Sequence, residues 1–326
     1  MFKYIKNDLP ASIVVFFVAL PLCLGIALAS GAPLFSGLIA GIIGGIVVGA
    51  LSGSQIGVSG PAAGLAAIVL TAIGTLGGYQ NFLVAVVLGG VIQLIFGFLK
   101  AGIIAYYFPS SVIKGMLAGI GITIAISQIP NVLGFSSDLE IFSIDGGIGS
   151  ALSKIADNLH YGSILITLVA LAILLLWEKV LTKKSKIFSI VPGPLVAVAM
   201  GVVYYIVVDG PAFGIQDFQL VTVPVPDSAA SFFGQFSMPN FAEIANSEVW
   251  VVAVTIAIVA SLETLLSVEA IDKIDPLKRT TNTNRELYAQ GAGNMISGLI
   301  GGLPVTQVIV RSSTNAQSGG RTKMSA

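Results

Sequence analysis

Charge is scarce in this sequence. Only 10% of its residues are Asp, Glu, Lys or Arg, against roughly 25% in a soluble domain. The 16 basic residues balance 16 acidic ones over 326 positions, so nothing in the net charge draws the chain to nucleic acid. Histidine and cysteine are rarer still, with His160 and Cys23 the single example of each. One cysteine excludes an intramolecular disulfide, and one histidine beside it excludes a Cys/His metal site. Cys23 itself reads as a small buried hydrophobe. No nucleophile and base stand together in the apolar stretches, which opposes a membrane-embedded enzyme. A cleavable signal peptide is also missing, because the apolar run after Lys3 and Lys6 continues far beyond the ~7–15 residues of a signal core.

What fills the chain instead is apolar. Hydrophobic residues make up 55% and the mean hydropathy is +0.94, values of an integral membrane protein. Hydropathy predicts about ten membrane segments, each near the ~20 residues that a bilayer core demands. They fall near 11–30, 34–51, 56–76, 81–99, 112–134, 162–178, 188–208, 247–268, 287–302 and 305–326. Basic residues orient them, since cytoplasmic loops hold most Lys and Arg. With the amino terminus inside, Lys3, Lys6, Lys100, Lys179, Lys183, Lys184, Lys186, Lys273, Lys278, Arg279 and Arg285 all face the cytoplasm, and the outer loops keep only Lys154.

The third and tenth segments depart from plain transmembrane helices. Ile56, Gly57 and Val58 run into Ser59-Gly60-Pro61, and Val308, Ile309 and Val310 run into Arg311-Ser312-Ser313-Thr314. Each is a short β-prone run feeding a small-residue helix, with Pro61 a helix-start signal. Irregular backbone at membrane depth is tolerated only where protein buries it or it lines a wet cavity. Under the predicted topology the two helices start near the midplane from opposite sides, each with its amide-rich, positive end toward one point. Broken helices crossed in this way build the central site of several transporter folds.

Arg311 carries the most information. An arginine between Ile309-Val310 and Ser312-Ser313 is costly to bury. Beside the amides of Ser312, Ser313 and Thr314 it would offer a fixed positive charge to an oxyanion. The alternatives are snorkelling to the outer surface or pairing with an acid. The hydroxyl of Ser59 either caps the third helix or touches the same ligand. Gly60 exposes backbone there, and Gly64 is expected to pack closely against a neighbouring helix. Glu263, deep in the eighth segment with Ser267 one turn on, has the setting of a proton or sodium site; a structural partner for Arg311 or a neutral, hydrogen-bonded acid are the other readings. Glu269, Asp272 and Asp275, interleaved with Lys273, Lys278 and Arg279, read as a solvated loop. Pro21, in mid-span of the first segment, is expected to kink it and so make room for the central site, or to serve packing.

Several motifs occur together in a fixed order. They are the Ala-Leu-Pro-x-x-Leu-x-x-Ala-x-Ala-Ser-Gly run from Ala19 to Gly31, Val58-Ser59-Gly60-Pro61, Glu286-Leu287 with Gly291, Gly293-Asn294, and Gln317-Ser318-Gly319-Gly320-Arg321-Thr322. In these the chain resembles the SulP family of sulfate permeases and related anion transporters. The resemblance implies an all-α polytopic bundle of the seven-plus-seven inverted-repeat, uracil-permease-like type, here its first ten segments, with short strands leading into broken helices 3 and 10. It divides the chain into residues 1–134 (core segments one to four and the start of the gate), 135–245 (gate segments with outer loops) and 246–326 (core segments eight to ten). It implies carriage of a small inorganic anion, sulfate or bicarbonate first, across the cell membrane by alternating access, with no cofactor beyond a coupling proton or sodium ion. An uncoupled channel or exchanger, or a nucleobase permease of the same fold, are the alternatives. The expected substrate residues are Ser59, Gly60, Ala62, Arg311, Ser312 and Ser313, and Glu263 with Ser267 would take the coupling ion. The partners implied are the anion, the bilayer and a second copy of the full-length protein. Leu22 departs from the pattern, standing where animal members often place glutamine. Ending at Ala326, the chain is expected to be a fragment that lacks the last four segments and the cytoplasmic STAS domain.

Overall fold

A computed structural model describes residues 4–107, 128–135, 159–184, 193–210 and 225–326, with scattered residues between 111 and 126 and at 188, 213–216, 219 and 220. Part of the fifth expected segment (112–134) lies outside these residues. The main elements are α1 (Ile5–Ala29), α2 (Leu34–Leu51), β1 (Ser59–Pro61), α3 (Ala63–Thr75), α4 (Tyr79–Phe98), α5 (Tyr161–Leu181), α6 (Gly193–Val207), α7 (Ser247–Ile274), α8 (Thr283–Leu299), β2 (Val305–Gln307) and α9 (Ile309–Gln317). Helices α1, α2, α4, α5 and α7 are each long and apolar enough to cross a membrane. Along α1, Leu9, Ile13, Phe16 and Leu20 stay exposed while Ala11, Val14, Val15 and Val18 are buried. An exposed face of that kind suits lipid, not water.

Contacts divide the chain into one unit of residues 1–121 with 223–326 and another of residues 122–222. In the second unit α5 packs along α6, and the Trp177 indole donates to the Phe188 carbonyl at 3.0 Å.

In the first unit α4 is the central post, with Phe82, Leu83, Val84, Ala85 and Val86 fully buried between α7 and α8. Small residues let the backbones meet: a Cβ at Gly90 would stand 2.7 Å from the Gly291 carbonyl oxygen, and one at Gly291 2.8 Å from that of Gly90. Close helix approach through glycine is the main association force where lipid is as apolar as leucine. Helix α1 ends at Ala29, and the chain turns just beyond it at Gly31, whose φ of +61° is left-handed and cheap only for glycine.

The broken segments meet as a two-stranded antiparallel sheet, with Ser59 opposite Gln307, Gly60 opposite Thr306 and Pro61 opposite Val305. Because the strands are antiparallel, α3 and α9 leave the crossing in opposite directions, each with its amino end at the sheet. The strands are displaced from their sequence-expected places. Pro61 is the last residue of β1, where a ladder end needs no N–H, and α3 begins beyond it. At the other crossing arm, α9 begins at Ile309, two residues before Arg311, and ends at Gln317. Nine residues rise only about 14 Å, a half-helix. The chain then turns through Gly319, φ +94°, and the amides of Arg321 and Thr322 donate to the Asp8 carboxylate at 2.7 and 3.1 Å.

Candidate functional site

Beside the crossing lies a cavity of about 420 Å³, lined by Cys23, Phe35, Gly41, Ser59, Phe232 and Arg311 among others. Arg311 is only 1% exposed, so it does not snorkel. It makes no ion pair either: among the described residues the ion pairs are Lys273 with Glu269 and Arg279 with Asp275. Its Nε and Nη2 are buried without a partner, and the Cys23 thiol faces the guanidinium. Gly60 makes this possible, since a Cβ there would overlap Arg311 Nη1. Behind β1 the helix α2 swells into a π turn at Gly44–Val48, and a Cβ at Gly44 would run into the Ser59 carbonyl. A π turn of this kind marks functional sites more often than ordinary helix.

Ser59 does not cap α3. Its Oγ accepts from Gln290 Nε2 at 2.8 Å, and the same amide donates to Glu286 Oε1 at 3.1 Å. Glu286, fully buried, also accepts from Ser52 Oγ at 2.5 Å and the Gly53 amide at 3.1 Å. A carboxylate with three donors is well satisfied where it sits. A hydroxyl that accepts one bond in this way still has its proton to donate, and Ser59 lines the cavity. A cavity whose polar edge is a hydroxyl proton and a guanidinium is chemically a place for an anion.

The free amides of α9 differ from expectation. Since the helix starts at Ile309, the first-turn N–H groups of Ile309, Val310 and Arg311 lack an intrahelical acceptor, whereas the Ser312 amide already donates to the Val308 carbonyl at 3.1 Å. Ser312 Oγ ties strand to helix, accepting from the Val58 amide at 2.8 Å, and Ser313 Oγ donates to the Ile309 carbonyl at 2.8 Å. Ala62 lies in the apolar core, its amide on the Pro304 carbonyl at 3.2 Å. The cavity therefore gathers Ser59 and Arg311, and leaves Gly60, Ala62, Ser312 and Ser313 outside its lining.

Glu263 and Ser267 are buried on α7, also outside that lining. Instead of facing Arg311, the Glu263 carboxylate accepts from the Gly64 amide at the start of α3. The positive end of α3 is thus occupied by an acid, while that of α9 carries Arg311. Glu263 Oε2, Thr306 Oγ1 and both polar side-chain atoms of Gln307 are buried without partners, and the Gln307 backbone N–H donates to Thr264 Oγ1 at 3.2 Å. Orphaned buried oxygens on α7 and β2 are the kind that an ion or water satisfies. Sequence reasoning passed over Thr306, Gln307 and Gln290; the helical spacing of Gln290 four residues after Glu286 was the one available signal.

Comparison with known proteins agrees with this architecture. The sequence matches the Sulfate permease family over residues 5–326. YvdB of Bacillus subtilis (strain 168), named as a candidate sulfate transporter, is 30% identical over 96% of this chain. The bicarbonate transporter BicA of Picosynechococcus sp. is 26% identical over 99% of it. The chain spans 56% of the length of each of these relatives. The solved transmembrane domain of a cyanobacterial BicA superposes with a TM-score of 0.79 at 26% identity, covering all of this chain and 79% of that one. SLC26A9 shares the fold at a TM-score of 0.76 and 19% identity, over all of this chain and 52% of its own. With a multi-pass, all-α architecture, two broken segments crossing through paired strands, and a family match along nearly the whole sequence, this chain belongs to the sulfate permease family of membrane proteins.

Proposed function

We propose that this chain forms the anion-holding part of a secondary transporter that moves a small inorganic oxyanion, sulfate or bicarbonate, across the cytoplasmic membrane by alternating access. The observation that carries the reading is Arg311: a guanidinium 1% exposed, without a carboxylate partner among the described residues, whose Nε and Nη2 are unengaged close to Ser59. An unpaired charge at that depth costs several kcal/mol, a cost that makes sense where a mobile anion supplies the missing partner. The names of the relatives support sulfate and bicarbonate equally, and one arginine fits both. Glu263 and Ser267, with Thr306 and Gln307 across from them on β2, are proposed to take a coupling proton or sodium ion. The amino terminus is assigned to the cytoplasm, residues of the first unit to the core that carries the anion, and the functional assembly to a homodimer of the whole protein.

The test is an uptake panel of radiolabelled sulfate, bicarbonate and uracil in vesicles, with and without a sodium or proton gradient, joined to equilibrium anion binding. Arg311→Ala is expected to abolish anion binding while the protein remains extractable and folded. Unchanged affinity would reassign Arg311 to structure, and gradient-independent flux would make the protein an uncoupled exchanger or channel.

A further inference from the structure

We propose that Cys23 is a contact residue of the anion site, its sulfur and the Arg311 guanidinium bounding the space in which the oxyanion sits, so that the bound anion shields the thiol. The inference rests on the reading of that cavity as the anion site. By residue type Cys23 only fills space, yet the fold sets it at the edge of this cavity. The thiol lines the same cavity as Ser59 and Arg311 and faces the guanidinium, which itself is buried with unengaged nitrogens. On its other side α2 leaves it no room: a Cβ at Gly41 would stand 2.7 Å from Sγ. Sulfur is also a suitable neighbour for that arginine. It is a weak, uncharged acceptor, so it can steady the guanidinium without cancelling the charge on which anion binding depends. A carboxylate in its place would close an ion pair and fill the site.

Cys23 is the sole cysteine of the chain, which makes it a reporter needing no background mutations. A thiosulfonate reagent labels it by attack of the thiolate on the sulfenyl sulfur. The new S–S bond forms as the S–SO₂ bond breaks, methanesulfinate leaves, and the thiol proton goes to water. Two reagents of similar size are used on the folded protein, sulfonatoethyl methanethiosulfonate (anionic) and the trimethylammonium-ethyl analogue (cationic), with labelling followed by intact mass. The anionic reagent is expected to react at least about tenfold faster, the factor given by ~1.4 kcal/mol of attraction, and the transported anion is expected to slow it. Arg311→Gln should erase the preference, and Arg311→Lys should keep most of it even if one of the two folds poorly. Cys23→Asp should lose at least about tenfold in affinity. Equal rates for the two reagents, an inert thiol in the folded protein, or labelling indifferent to a saturating transported anion would each overturn the proposal. If the anion binds through Arg311 yet leaves Cys23 unprotected, only this inference fails. If binding ignores Arg311 altogether, the functional reading fails with it.

Discussion

Substituting Gly60 by alanine replaces a hydrogen with a methyl group at a point where the backbone already touches Arg311. The added methyl would overlap Arg311 Nη1 and stand 3.1 Å from Cζ. Strand β1 has nowhere to retreat, because Gly44 already approaches its other face so closely that a Cβ there would come within 2.8 Å of the Gly60 nitrogen. Its partner β2 is in turn held by Asn294, whose side chain bonds both the amide and the carbonyl of Val305. The guanidinium, at the end of a flexible arm, is what moves, by roughly 1 Å or more to regain a contact distance of about 3.5 Å. Displacing a charged donor from its acceptor costs about 1.5–3 kcal/mol, which is roughly 10- to 150-fold in the dissociation constant. The fold should pay less, near the low end of the ~1–3 kcal/mol typical of overpacking, since a side chain and not a strand gives way. Equilibrium binding of radiolabelled sulfate or bicarbonate to purified Gly60→Ala, beside a thermal melt, separates the two quantities. A folded variant with parental affinity would refute the idea that Gly60 sets the position of Arg311 for an anion.

Three further outcomes are expected. In Glu263→Gln, gradient-driven accumulation is lost while anion exchange is partly spared; accumulation at parental levels would remove Glu263 from coupling. In Glu286→Gln, one acceptor oxygen becomes a donor facing the donors Ser52, Gly53 or Gln290, at a cost of about 1–3 kcal/mol, so the melting temperature in detergent drops; an unchanged melt would mean that the carboxylate clamps nothing. At the end of α7, burial pushes the Asp275 carboxyl up, but hydrogen bonds from the Arg279 side chain and the Leu277 and Arg279 amides outweigh it and hold the group below its ordinary range. A depressed folded value stabilises above the unfolded carboxylate value of about 3.9 and loses that contribution as pH falls through the folded value. Asp275→Asn should therefore be less stable than the parent at neutral pH and converge with it below about pH 4. A gap independent of pH would show that charge has no part in it.

Much of this architecture is legible in residue order. Long apolar runs mark α1, α2, α4 and α7, because a span of lipid imposes its length on whatever crosses it. The crossing was legible too, from β-prone residues beside glycine, proline and a lone arginine. What composition could not show is register. Whether Pro61 opens a helix or closes a strand depends on Val305, some 240 positions away, and the start of α9 at Ile309 depends on Val308 donating to Val58. The same holds for the polar groups inside. Gln290, Thr306 and Gln307 look like ordinary polar residues in a string, and only folding shows that the first is spent on Ser59 while the other two are left without partners. Cys23 is the same case: its neighbour of consequence is Arg311, not anything near it along the chain.

The ladder between β1 and β2 has one more consequence. Because Ser59, Gly60 and Pro61 are stitched to Gln307, Thr306 and Val305, and Ser312 is pinned to Val58, the two half-helices are yoked. Neither can slide by a turn without stripping hydrogen bonds that no water at that depth would replace. An ion held between Ser59 and Arg311, as proposed, would therefore travel with the paired strands as one body, and that is a consequence of the ladder alone.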